Sequence, residues 1–207
     1  MTPTECLRLA LRTESKPPLS SDPDDARILH ALTGMGTEVG EMLDACKKVI
    51  WYEHPMNVQN LVEESGDLLW YIGLLIDALH LDPEPLFAAQ IDVQDTRPLL
   101  DRADPDADRA LRHAFQIHQH VSWLLHAKGK DAVKEAFLFT ATLRISAIVQ
   151  NLKGLLLRYE RTLDDAMNAN IPKLEARYTK QQFDRVQALS RDLDREAVAL
   201  AEGMLLK

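Results

Sequence analysis

The sequence of 207 residues predicts an all-α protein, a helical bundle with a four-helix core built from two antiparallel helix hairpins. Apolar residues recur at the spacing of one helix face over residues 24–50, and they surround almost the whole of residues 61–79. Two further helical segments, residues 105–128 and about 131–159, carry more apolar surface than one helix pair can hide by itself. We therefore expect the second pair of helices to pack against the first.

Composition and charge limit the classes of partner. A hydrophobic fraction of 46% with 27% charged residues is typical of a compact protein with a substantial core. The net charge of −8 argues against a nucleic-acid polymer or an anionic membrane as partner, whereas a mononucleotide could still bind through a metal and a few lysines. No segment reaches the ~18 apolar residues of a membrane span, and the N-terminus lacks the pattern of a secretion signal. We therefore expect a cytoplasmic protein.

The first half of the chain predicts its helices in order. Residues 2–13 carry one apolar face and predict a short helix, which must end before a loop with three prolines. The first long helix is predicted to begin at Asp24 and to end near Ile50, with Pro55 at the first position of the next. Residues 81–91 then predict a turn and a short helix.

Four acids stand on the two long helices of this half. Glu38 and Glu41 lie three residues apart on the first helix, and Glu64 and Asp67 lie three apart on the second, so each pair occupies one side of its helix. In an antiparallel hairpin whose connector is centred between Tyr52 and Glu53, the two pairs lie opposite each other at the same position along the helix axes. The sequence therefore predicts a cup of four carboxylates.

Such a cup needs positive charge, because its second helix is apolar almost all round and buried carboxylates must be neutralised, paired or bound to metal. Lys47 and Lys48 could supply some of this charge, but two lysines cannot easily satisfy four clustered acids. Ligands with oxygen atoms alone favour Mg²⁺, with Mn²⁺ as an alternative. Glycines interrupt both helices, and we expect each to mark a close approach of helices. These are Gly34, Gly36, Gly40 and Gly66.

The motif E-x-x-E, 22 intervening residues and E-x-x-D resembles the MazG-like, all-α nucleoside triphosphate pyrophosphohydrolase superfamily. The segments EVGEMLDACKK and NLVEESGDLLWYIGLL are similar to its two metal-binding helices. NIPKLEARY at residues 170–178 resembles its N-x-x-K-x-x-x-R-Y segment, and RVQALSRDLDREAVAL is similar to a tail of phage and bacterial members. The resemblance covers roughly residues 1–91 and 162–203.

The resemblance implies hydrolysis of a nucleoside or deoxynucleoside triphosphate to the monophosphate and pyrophosphate. Glu38, Glu41, Glu64 and Asp67 would hold Mg²⁺, and Glu41 would orient or deprotonate the attacking water. Pro172 departs from the expected pattern and predicts a kink in this segment. The residues implied to contact the substrate are Lys48, Asn170, Lys173, Arg177 and Tyr178.

Residues 92–161 separate the second acidic helix from the 170–178 segment, which the resemblance implies should follow almost directly. Asp104 is the expected N-cap of the first inserted helix, ahead of Pro105. The tripeptide GLL at 154–156 matches the one at 73–75, near an offset of 80 residues. The insertion is thus either a decayed duplicate of the first half or an unrelated hairpin. At offset 80 the acids are replaced by His118, Val121, Arg144 and Ala147.

We expect a single domain in which the inserted hairpin takes the place of a partner chain. Residues 1–91 would hold the metal hairpin, residues 92–161 the second hairpin, and residues 162–207 the substrate-binding segment and tail helix. The bundle would then be a pseudo-dimer complete within one chain, and a homodimer through another surface is compatible with it. A helical interaction module that retains its acids without activity is the alternative function. A di-iron site is disfavoured because no Glu in the chain has His three residues later.

Overall fold

The structure, a computed structural model, describes residues 2–15, 23–89, 105–128 and 134–205. These residues form helices joined by short turns and contain no β-strand, which confirms the all-α prediction. A single 3-10 turn, Leu11–Thr13, follows the first helix. The α-helices are α1 Pro3–Ala10, α2 Pro23–Tyr52, α3 Val58–Ala78, α4 Pro83–Ala88, α5 Pro105–Lys128, α6 Lys134–Leu157, α7 Leu163–Arg177, α8 Arg185–Leu189 and α9 Leu193–Gly203.

The turn between α2 and α3 differs from the prediction at both ends. Helix α2 continues to Tyr52, two residues beyond the expected end, and Glu53 turns the chain with a φ of 54°. The next helix begins at Val58 and not at Pro55, because the Asn57 side chain caps it by accepting a hydrogen bond from the Asn60 amide at 3.1 Å. The residues between Tyr52 and Val58 therefore form a longer connector than predicted.

The second hairpin, α5 and α6, packs on the first mainly through contact between α5 and α2. Apolar side chains from both hairpins belong to one buried cluster, including Met35 and Met42 of α2 and Ile117 of α5, none of which is exposed. This packing buries much of the apolar surface of the second hairpin, as expected from its composition, while Phe139 and several other apolar side chains of that hairpin remain exposed. The internal duplication stays a prediction. Asp104, the predicted N-cap of α5, lies outside the described residues.

Helix α7 packs against α3, and α9 packs against α7. A capping box starts α7, in which Thr162 and Asp165 bind each other's backbone amides. The helix then runs through Pro172 to Arg177, so this proline does not end it. The kink expected at Pro172 stays a prediction.

Two of the four helix-interior glycines mark close approaches. A Cβ on Gly66 would lie 2.9 Å from the Cβ of Asn170, so this glycine lets α7 approach α3. A Cβ on Gly34 would lie 2.1 Å from the Tyr71 ring. The expectation is wrong for Gly36 and Gly40, around which a Cβ would meet no atom within 4 Å.

Within the described ranges, no helix combines the length and the apolar character that crossing a bilayer requires.

Candidate active site

Three carboxylates converge where α2 and α3 face each other. Ligand oxygens of Glu38, Glu41 and Glu64 all lie within 4.8 Å of one another, and they form the one such group found among the described residues. Glu64 is 6% exposed, Glu38 is partly buried and Glu41 is exposed. The Asn60 amide donates to Glu64 at 3.1 Å. The antiparallel hairpin thus brings together three of the four predicted acids.

Burial shifts the protonation of this group. It raises the pKa of Glu64 to about 9 and that of Glu38 to about 7, and neighbouring negative charges from Glu41 and Asp67 act in the same direction. Neutral Glu64 can donate a hydrogen bond to Glu38. Without a cation, the cluster therefore retains a proton at neutral pH.

Asp67, the fourth predicted acid, is engaged with α7. Its Oδ1 accepts from the Asn170 amide at 2.7 Å, and its Oδ2 accepts from the Lys173 ammonium at 2.5 Å. The Lys173 side chain has no exposed surface and also binds Glu63 at 3.2 Å. The structure therefore places Asn170 and Lys173, two predicted substrate contacts, against an acid of the predicted metal set.

The positive charge that pairs with Asp67 and Glu63 comes from Lys173 of α7, and not from the two lysines of α2 that the sequence suggested. Lys47 and Lys48 both bind Asp44, with a distance of 2.7 Å from the Lys48 Nζ. Glu63, which shares the Lys173 ammonium with Asp67, was not predicted as a site residue. Its i, i+4 spacing from Asp67 could have identified it, because this spacing places both carboxylates on one face of α3.

A cavity of about 340 Å³ opens beside the carboxylates. Its wall includes the predicted residues Arg177 and Tyr178 at the end of α7, together with Arg191, which precedes α9. Arg177 forms two hydrogen bonds to the buried Glu196, at 3.1 and 2.6 Å. The cavity therefore combines carboxylates with two guanidinium groups.

Aromatic rings line another part of the same cavity. His30, Trp70 and Tyr71 contact one another edge to face, with ring centroids 4.9 to 6.0 Å apart. The Trp70 indole N–H donates to the Ala10 carbonyl at 2.9 Å and to the Thr13 hydroxyl at 3.1 Å, which fixes the end of the first helical segment at the cavity. The spacing of these residues in the sequence did not predict this cluster.

Lys48 lines a different cavity. It is 58% exposed and borders a space of about 630 Å³, together with Tyr52 and His54. Glu41 lines both this space and the cavity of 340 Å³, so the two adjoin at that carboxylate. Lys48 is thus separated from the other predicted substrate contacts.

The second hairpin carries different chemistry at the position aligned with Glu64. Arg144 of α6 donates to the His120 ring at 2.9 Å and stacks over Trp123 with its Cζ 4.9 Å from the ring centroid. The correspondence of Arg144 with Glu64 depends on the offset of 80 residues in the sequence and stays a prediction.

Comparisons of the chain with protein-family models, curated proteins and solved structures find no match. Any assignment of function therefore depends on the chemistry of the site and on the motifs of the sequence.

Proposed function

We propose that this chain is a Mg²⁺-dependent nucleoside triphosphate pyrophosphohydrolase, which releases a nucleoside monophosphate and pyrophosphate. The observation that carries the proposal is the convergence of three carboxylates on a cavity that two guanidinium groups also line. Carboxylates suit a hard divalent cation, and guanidiniums suit phosphate oxygens. The resemblance of the two acidic segments to MazG-like proteins supports the choice of reaction.

The donor atoms fit Mg²⁺ or Mn²⁺. Glu38, Glu41 and Glu64 offer oxygen ligands alone, and their mutual repulsion is relieved when a cation takes the place of their shared proton. Asp67 accepts one hydrogen bond on each oxygen in this structure and, with about four lone-pair sites, retains capacity for a cation. When bound, the cation offsets negative charge on phosphoryl oxygens and lowers the pKa of water.

Residues of the chain supply the remaining functions. Glu41 is the exposed acid of the group and stands between the two cavities, a place from which it can orient or deprotonate an attacking water. Lys173 holds Asp67 in position through its buried ion pair. The cavity volume of about 340 Å³ lies within the range of small-ligand sites, and the aromatic rings offer faces on which a base can stack.

The test is pyrophosphate release from a panel of NTPs and dNTPs with Mg²⁺. We expect turnover of at least one nucleotide, and its loss in Glu38→Gln and Glu64→Gln. Glu53→Gln is the matched control, because Glu53 is an exposed acid of the turn and lines neither cavity. Absence of turnover across the panel would contradict the proposal and favour an inactive interaction module.

A further inference from the structure

Glu196 of α9 is a buried carboxylate that holds two arginines. Only 2% of the residue is exposed, and its oxygens accept from Nε and Nη2 of Arg177 at 3.1 and 2.6 Å. They also accept from Nε and Nη2 of Arg191, the shortest bond being 2.6 Å. One carboxylate therefore fixes two guanidinium planes from different parts of the chain.

The two guanidinium groups retain charge and donors for a ligand. Glu196 balances one of the two positive charges, and its bonds use two of the three nitrogens of each group. Each guanidinium has five N–H donors in total, so several remain on each. Both arginines line the cavity of the carboxylates, and Arg177 lies near enough to Asp67 for their charges to interact.

We propose that Arg177 and Arg191 together bind the phosphate oxygens of the substrate, and that Glu196 is the positioning residue that sets their separation and orientation. The inference rests on the proposed function and extends it to Arg191 and Glu196, which lie outside the N-x-x-K-x-x-x-R-Y segment. Paired, fixed guanidiniums bind phosphate oxygens with bidentate geometry. Ordering them in advance reduces the entropy lost when the phosphates bind.

Inorganic pyrophosphate is the probe, with its binding to the full chain measured by titration calorimetry in Mg²⁺ at fixed ionic strength. We expect Arg191→Gln to weaken binding about tenfold, since a charge-assisted hydrogen bond is lost. Arg195→Gln is the control. Arg195 stands four residues after Arg191, is exposed and does not line this cavity, so its substitution should change the affinity for pyrophosphate less than about twofold. Equal effects of the two substitutions would overturn the proposal, as would a wild-type chain that does not bind pyrophosphate.

Glu196→Gln separates positioning from simple charge. This substitution adds one net positive charge beside the cavity, so a field effect alone would strengthen pyrophosphate binding. A positioning role predicts the opposite, because the amide N–H₂ cannot accept from a guanidinium and the two groups move apart. Unchanged or tighter binding by a folded Glu196→Gln protein would overturn the positioning role. Thermal unfolding checks that the Glu196→Gln protein is folded. If it is not, Arg191→Gln, which changes an exposed residue, gives an independent test of the phosphate site.

Binding and turnover distinguish this inference from the proposed function. Pyrophosphate binding that depends on Arg191 supports the phosphate site even if no nucleotide in the panel is hydrolysed. Turnover that is equally fast in Arg191→Gln and in wild type, with equal KM, would overturn the inference while the proposed function stands.

Discussion

Replacing Lys173 by Met tests whether its ammonium supplies the counter-charge of the acidic site. The side chain has no exposed surface, and its Nζ lies 2.5 Å from Asp67 and 3.2 Å from Glu63. Methionine removes the charge of lysine but retains a similar apolar stem, and because of that stem the packing changes little. The substitution leaves two carboxylates without their cation beside Glu38 and Glu64.

The expected loss follows from burial. Removing one partner of a buried ion pair costs about 3–5 kcal/mol. The side chains of Asp67 and Glu63 are 24% and 29% exposed, so water partly solvates them, and we expect the lower end of that range. A loss of about 3 kcal/mol corresponds to a fall of about 6–12 °C in the unfolding midpoint of a domain of this size.

Urea and thermal unfolding of metal-free protein measure this loss. The matched control is Lys180→Met, because Lys180 is exposed and its substitution should change stability by less than about 0.5 kcal/mol. Mg²⁺ should restore part of the stability of Lys173→Met, since it provides positive charge to the same acids. Equal unfolding midpoints for the two variants would refute the role of Lys173 as counter-charge.

Three further outcomes can be measured on single variants. Burial raises the pKa of Glu64 from 4.5 to about 9, so the metal-free protein should lose stability as the pH rises from about 4.5 to about 9. Near pH 8, Glu64→Gln should therefore have a higher melting temperature than wild type, and a lower melting temperature would contradict this prediction. Glu41→Gln should abolish pyrophosphate release without lowering the melting temperature, because the side chain is exposed; retained turnover would exclude its catalytic role. In urea unfolding, Gly66→Ala should destabilise by about 1–3 kcal/mol through its contact with Asn170, whereas Gly36→Ala should stabilise by about 0.5–1 kcal/mol; similar effects would argue against the close approach.

The helices were predictable because their signals are local. The prediction for Pro105–Lys128 matches α5, whose proline at the start and apolar stripe are visible in the sequence. The sequence also predicted that Glu41 and Glu64 lie opposite each other on the two helices, since helix periodicity and a short connector fix the register of a hairpin. The α3 start was misplaced because Asn57, a good N-cap, outweighed Pro55.

The electrostatics of the site depend on tertiary contacts that have no local signal. The sequence suggested Lys47 and Lys48 as counter-charges because they are near in the chain, but both bind Asp44. The lysine that binds Asp67 lies 106 residues farther along. Because of this pairing, we expect Asp67→Asn to lower stability, since the substitution removes a charged partner of the buried Lys173 ammonium.

The distance along the chain between Asp67 and Lys173 has a consequence during synthesis. At roughly 5–20 residues per second, the ribosome adds the 106 residues that follow Asp67, up to and including Lys173, in roughly 5 to 20 s. Throughout that interval the acids of the first hairpin are present without the ammonium that balances Asp67. The acidic pair of helices therefore cannot reach its final charge balance until α7 has emerged, and the site is completed late in translation.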